Sequence, residues 1–176
     1  IRCGLGLQDL DVRWFEEPVP PEDREGYRQV RAALHMPITG GECAFTRFDF
    51  RDLIVEGCID IAQPDICCTG GFTEWRHILG IASAHGVRTI PHVWGSGVAL
   101  AAALQVLAAT PPLPFTYFPV ELQNEPVVEF DRNPNPLRDE LLADPIRLEG
   151  GRVAVPMGPG LGIQVDEDAL AHYRTA

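Results

Sequence analysis

The chain is 176 residues long and carries 14 basic against 25 acidic side chains, a formal charge of −11, which excludes a protein that neutralises a phosphate backbone over a basic face. Hydrophobic residues make up 45% and charged residues 22%, the composition of a folded domain with a core of its own and not of a disordered tail. All 14 basic side chains are arginines, so this chain by itself has no Schiff-base, P-loop or lysine general-base chemistry.

Cys3, Cys43, Cys58, Cys67 and Cys68 are odd in number and contain no C-x-x-C pair, so neither a disulfide framework nor a structural zinc site is expected and a reducing compartment is the simpler setting. The longest apolar run, Val98 to Ala109, is interrupted by Gln105 and falls short of the roughly 20 residues that span a bilayer. No basic region followed by an apolar one opens the chain. The expectation is a soluble, cytoplasmic protein with neither nucleic acid nor membrane as partner.

Ile1 to Leu10 has apolar residues at helical spacing with no cap before it, the pattern of a chain entered in mid-helix. Val12 to Pro18 then reads as a strand ending at Glu16 and Glu17, and Pro18, Pro20 and Pro21 delay the next helix until Asp23, the expected N-cap of Arg24 to Leu34. Pro37 to Glu42 is a strand, Phe48 to Glu56 a helix stopped by Gly57, and Ile59 to Ile66 a buried strand carrying Asp65. After the turn at Gly70 and Gly71, a helix from Phe72 to His85 presents Trp75, Ile78, Leu79 and Ala82 on one face. Val87 to Val93 is a strand ending at His92, and Gly95 and Gly97 open the helix Val98 to Ala109.

Prolines between Pro111 and Pro119 break the rhythm. Val127 to Phe130, with Glu129, is expected to be a strand, and a Pro/Asn loop follows to Arg138. Two short strand-like runs flank Gly150 and Gly151, and a last helix is expected near Asp166. The glycines of M-G-P-G-L-G do not follow a strand and open a βαβ unit, so they are not a dinucleotide fingerprint. Short apolar runs alternating with helical segments point to repeated βα units on a parallel sheet, an α/β fold.

Glu16, Glu42, Asp65, His92 and Glu129 each fall at or near the C-terminal end of an expected strand, with separations of 26, 23, 27 and 37 residues. The first three separations match one βα unit, so parallel neighbours in a barrel would bring these side chains to one rim. Carboxylates on adjacent strands with no lysine beside them call for a cation, and oxygen ligands favour Mg²⁺, or Mn²⁺, over zinc. Asp65 beside His92 suits a general base whose tautomer is set by its partner. Taken alone, Asp65 is also a turn residue before Gly70 and Gly71, and Glu17 reads as a supporting or structural carboxylate. Glu121 and Glu125 are neighbours that compete with Glu129. Trp94 reads as a wall of the substrate pocket or as a core aromatic. Cys43, Cys67 and Cys68 lie near the rim without a cationic partner and are not read as reactive thiols.

The motifs W-F-E-E-P (Trp14 to Pro18), G-G-E (Gly40 to Glu42), Q-P-D then T-G-G (Gln63 to Asp65, Thr69 to Gly71), P-H-V-W-G-S-G (Pro91 to Gly97) and E-F-D with N-P-N-P-L-R-D-E-L (Glu129 to Leu141) resemble the mandelate racemase/muconate lactonizing enzyme branch of the enolase superfamily over nearly the whole chain. The resemblance implies the C-terminal half of a modified TIM barrel, (β/α)7β. Residues 1–142 would supply strands four to eight with their helices, and residues 143–176 a segment returning to a capping domain. It further implies Glu16 and Glu42 as Mg²⁺ ligands, His92 and Asp65 as the catalytic dyad, and Glu129 as a hydrogen-bonding partner of the substrate carboxylate or the enediolate. A third metal ligand and a lysine acid/base would precede Ile1, and the protein would be a homo-oligomer acting on a small carboxylate substrate.

The expected reaction is removal of the proton alpha to a carboxylate through an enediolate, with dehydration of a sugar acid to a 2-keto-3-deoxy acid as the first reading. A racemase or epimerase on the same scaffold is the alternative, and it needs a second base on the opposite substrate face. A zinc hydrolase would want an H-x-H pair and more strand-end histidines. The non-enzymatic alternative is a truncated chain that is inactive alone.

Overall fold

The computed structural model describes residues 1–112 and 124–175. In chain order its first half contains α1 (Arg2–Gln8), β1 (Phe15–Glu16), α2 (Arg24–Ala33), β2 (Ile38–Gly40), α3 (Thr46–Val55), β3 (Ile61–Ala62), α4 (Gly71–Ala84), β4 (Arg88–Thr89) and α5 (Gly97–Ala109). After the residues outside the description come α6 (Pro136–Asp139), β5 (Leu148–Glu149), β6 (Arg152–Val153) and α7 (Glu167–His172). Pro114, Pro119 and Glu121 lie outside the described residues.

The strands β1 to β4 form one parallel sheet in sequence order, with Glu16 opposite Thr39, Thr39 opposite Ile61 and Ile61 opposite Arg88. Each strand returns through one helix, as parallel pairing requires. The regular ladders are shorter than the apolar runs that predict them because prolines at 18, 64 and 91 supply no amide donor at the strand ends. Backbone pairing nevertheless continues at the edges of these breaks: the Gln63 amide donates to the Gly40 carbonyl at 3.0 Å and the His92 amide to the Pro64 carbonyl at 3.3 Å. An isolated parallel bridge joins Asp65 to His92.

The main core lies between this sheet and the helices α2, α3 and α4, where Tyr27, Val30, Ile38, Phe50, Ile54, Ile59, Ala62 and Ile78 are buried together. Asp23 caps α2 by accepting the Gly26 amide at 2.8 Å, and Arg47 ties α3 to α4 through the Glu74 carboxylate. In α5, Leu100, Ala101, Ala103, Leu104, Val106 and Leu107 are all buried, as expected of a helix covered on several sides. Among the described residues no helix is long and apolar enough to cross a membrane.

The expected strand Val127 to Phe130 does not form. A strand beside β4 and the segment that follows it would take their free amides with carbonyls, and side chains take them instead: Asn124 Oδ1 accepts from the Thr89 amide at 3.0 Å and Glu129 Oε2 from the Val93 amide at 2.9 Å. Within the expected Pro/Asn loop, Asn135 caps the short α6, with Pro136 at its first position, and its Nδ2 donates to the Gly95 carbonyl at 3.0 Å. That bond ties the loop to the glycine turn after His92. Downstream, Gly150 and Gly151 have φ of 57° and 77°, the conformation a two-residue hairpin between β5 and β6 needs. The segment is anchored to α5 by Gln105 Nε2, which donates to the Pro156 carbonyl at 2.7 Å.

Candidate active site

Four of the five candidate ionisable side chains are carried by the C-terminal end of a strand or by the loop just beyond it. Glu16 closes β1, Glu42 follows β2 across the turn at Gly41, Asp65 and His92 lie past β3 and β4, and Glu129 reaches in from the segment beside β4. Gly41 adopts φ of 121°, and a Cβ there would lie 2.6 Å from the Phe50 ring. The chain can therefore turn over buried Phe50 and bring Glu42 to the rim only with glycine at this position.

The structure brings His92 between two carboxylates. Its Nδ1 donates to Asp65 Oδ2 at 2.9 Å, and its Nε2 lies 3.4 Å from Glu42 Oε2. Asp65 is 7% exposed and is fixed by the Cys67 amide, which donates to its Oδ1 at 2.7 Å. Burial works against a charged imidazole here, but the bond to Asp65 and the negative charges of Glu129, Glu42 and Asp65 outweigh it and raise the His92 pKa above 6.5.

Glu16 Oε2 accepts from Gln63 Nε2 at 2.9 Å and from Trp14 Nε1 at 3.2 Å. Glu129 is raised above the ordinary carboxylate value by burial, with the charges of Glu16 and Glu42 adding to it and the Val93 amide and His92 opposing. Glu17 is raised by burial and then by Glu42 and Glu16. The five predicted ionisable residues Glu16, Glu42, Asp65, His92 and Glu129 thus share one electrostatic field. Trp94, the predicted pocket wall, is 72% exposed two residues beyond His92.

Glu17 stands closer to the centre than a supporting role suggests. Its carboxylate, that of Glu42 and the Cys43 thiol lie within 4.8 Å of one another, and Glu17 Oε1 is buried without a hydrogen-bond partner among the described residues. Strand alternation would send Glu16 and Glu17 to opposite faces; Glu17 escapes it by leaving the strand at φ of 38°. Burial and the charges of Glu17 and Glu42 push the Cys43 thiol up, which keeps it protonated and a poor nucleophile. Gln63 is the other participant not singled out from sequence. The signal was present, since period-two spacing puts Gln63 on the same strand face as Asp65.

Among the described residues no arginine pairs with Glu16, Glu17, Glu42 or Glu129. A cluster of carboxylates this close, one with an orphaned buried oxygen and another raised by burial and by its acidic neighbours, suits a hard divalent cation held by oxygen ligands.

The whole pattern has counterparts. The sequence matches the family described as enolase C-terminal domain-like over residues 1–169. It is 46% identical to D-galactarolactone cycloisomerase of Agrobacterium fabrum over 99% of this chain and 45% of that protein. To arabinonate dehydratase of Saccharolobus solfataricus it is 30% identical over 99% of this chain and 43% of that one. The crystal structure of 3,6-anhydro-D-galactonate cycloisomerase from Zobellia galactanivorans superposes with a TM-score of 0.82 at 41% identity, covering 97% of this chain and 45% of that one. The chain spans less than half the length of the curated relatives it matches. With strands in sequence order, one helix between each pair and the ionisable residues at their C-terminal ends, it belongs to the enolase C-terminal domain-like family.

Proposed function

We propose that the protein removes the proton alpha to the carboxylate of a sugar acid, with His92 as the base, and that an oxygen on the β-carbon then leaves. The observation that carries this reading is the His92 position: Nδ1 is held 2.9 Å from Asp65 while Nε2 faces the acidic centre. Asp65 fixes the tautomer in which Nδ1 carries the proton, so that Nε2 is the atom that accepts the substrate proton. Glu16 and Glu42 would hold a divalent cation, Mg²⁺ or Mn²⁺, which when bound neutralises the facing carboxylates and draws off the charge that builds on the substrate carboxylate. Glu129, whose carboxyl is raised above the ordinary value by burial and its acidic neighbours, would be the hydrogen-bonding partner of that carboxylate.

The electron balance follows from these roles. The α-carbon–hydrogen bond breaks with its proton going to His92 Nε2, and the electron pair forms a double bond to the β-carbon as the β-carbon–oxygen bond breaks. The proton on His92 can then pass to the leaving oxygen, so a single base on one face is enough for elimination, whereas racemisation needs a second base opposite. A leaving hydroxyl departs as water, and the remaining enol becomes a 2-keto-3-deoxy acid, which is the dehydratase reading.

A second reading is favoured by the greater identity to two cycloisomerases, 46% and 41%, than to the arabinonate dehydratase, 30%. If the β-oxygen belongs to a ring of the substrate, the same elimination opens the ring and the product is an isomer. A Mg²⁺-dependent panel of open sugar acids and their cyclic forms, read by semicarbazide and by product mass, tests both. Keto-acid product one water lighter than substrate supports dehydration, keto-acid product of equal mass supports ring opening, and keto-acid formation that persists in His92→Asn contradicts the assignment of the base.

A further inference from the structure

We infer that Gln63 is a positioning residue for Glu16, held in place across three strands by Thr39; the inference rests on the reading of Glu16 as a cation ligand. Gln63 is 1% exposed and Thr39 0%, and buried polar side chains persist where their hydrogen bonds are made. Gln63 Nε2 donates to Glu16 Oε2 at 2.9 Å, and the Thr39 hydroxyl donates to Gln63 Oε1. The orientation of the amide is dictated by the ends of this chain of bonds. An ionised carboxylate only accepts, so the amide nitrogen faces Glu16, the amide oxygen faces Thr39, and the hydroxyl must donate.

Thr39 stands opposite Glu16 in the register of β1 and β2, so the three residues strap the sheet together at the rim. Trp14 Nε1 donates to the same Glu16 oxygen at 3.2 Å. Among the described residues Glu16 Oε1 makes no hydrogen bond, so the two donors gather on one oxygen and the other is left to a ligand. Loss of Gln63 would free the carboxylate to rotate away from the geometry a cation needs.

The test is the Mn²⁺ dissociation constant of the purified protein without substrate, read by electron paramagnetic resonance of free Mn²⁺, alongside thermal unfolding. Gln63→Met, similar in shape but without the amide, is expected to weaken Mn²⁺ binding about 10- to 100-fold with the fold retained. Thr39→Val should weaken it less, and Thr39→Ser, which keeps the hydroxyl, should bind like wild type. A residue that merely supports packing would lower the unfolding midpoint without moving the dissociation constant. Unchanged Mn²⁺ affinity in folded Gln63→Met overturns the inference. Should Gln63→Met fail to fold, equal affinity in Thr39→Val and Thr39→Ser overturns it and weaker binding by the valine variant alone supports it. Absence of Mn²⁺ binding by wild type overturns the cation reading and this inference with it.

Discussion

His92 and Asp65 face each other in a parallel bridge beyond β3 and β4, with Nδ1 2.9 Å from Oδ2. The backbone therefore fixes the dyad before any substrate arrives. Asp65→Asn isolates the role of the carboxylate, because the amide can still accept the Cys67 N–H through Oδ1 but presents a donor to Nδ1. The imidazole must then carry its proton on Nε2, the atom needed as base. Keto-acid formation is expected to fall roughly 10²- to 10⁴-fold, with an unchanged unfolding midpoint; near wild-type turnover would remove Asp65 from the mechanism.

The segment just past β4 offers a test of stability independent of catalysis. Glu129→Gln keeps an acceptor for the Val93 amide, whereas Glu129→Leu leaves that amide unpaired. Urea unfolding should show Glu129→Leu less stable than Glu129→Gln by about 1–3 kcal/mol. Equal stabilities would show that the amide finds another partner.

Gly41→Ala should both destabilise the fold and disturb Glu42. The new Cβ would meet Phe50 at 2.6 Å in a backbone at φ of 121°, and overpacking with strain of this kind costs about 1–3 kcal/mol or more. A drop in the urea midpoint together with weaker Mn²⁺ binding is the expected pair of results; a variant matching wild type in both would contradict this account of the turn.

The sequence makes the order of βα units legible because apolar periodicity and punctuating glycines and prolines are local signals. Asp23 as the cap of α2 and Asp166 as the cap of α7 were readable for the same reason. What escaped depends on contacts between distant segments. The Val127 to Phe130 run has strand-like residues, yet Asn124 and Glu129 use their side chains where a strand would use carbonyls. The strand-end series places Glu16, Glu42, Asp65, His92 and Glu129 at one rim, and the structure sets them in one field. It could not place Glu17 beside Glu42 and Cys43, because that position follows from one backbone torsion, φ of 38°. The C-terminal hairpin was readable from Gly150 and Gly151, while the Gln105 bond that anchors its downstream loop was not.

The pairing of α3 with α4 predicts a pH dependence. The Glu74 carboxyl is held at about 2, below its ordinary 4.5, by hydrogen bonds from the Arg47 side chain and amide. A carboxylate with a lowered folded-state pKa contributes stability above its unfolded value, and the contribution is lost as pH falls through the folded value. Glu74→Gln should therefore melt below wild type at neutral pH, with the gap closing as pH falls from about 4.5 to about 2. A gap that stays constant over that range would show that Glu74 acts through packing and not through its charge.

Proton removal by His92 is the claim on which the functional account stands, and hydrogen exchange reads it directly. The purified protein, with Mg²⁺ and a turned-over sugar acid in D₂O, is followed by proton NMR at the substrate α-carbon. Wild type is expected to lose the α-proton signal and form keto acid, with neither in His92→Asn. Loss of the α-proton in His92→Asn at the wild-type rate would show that another group is the base.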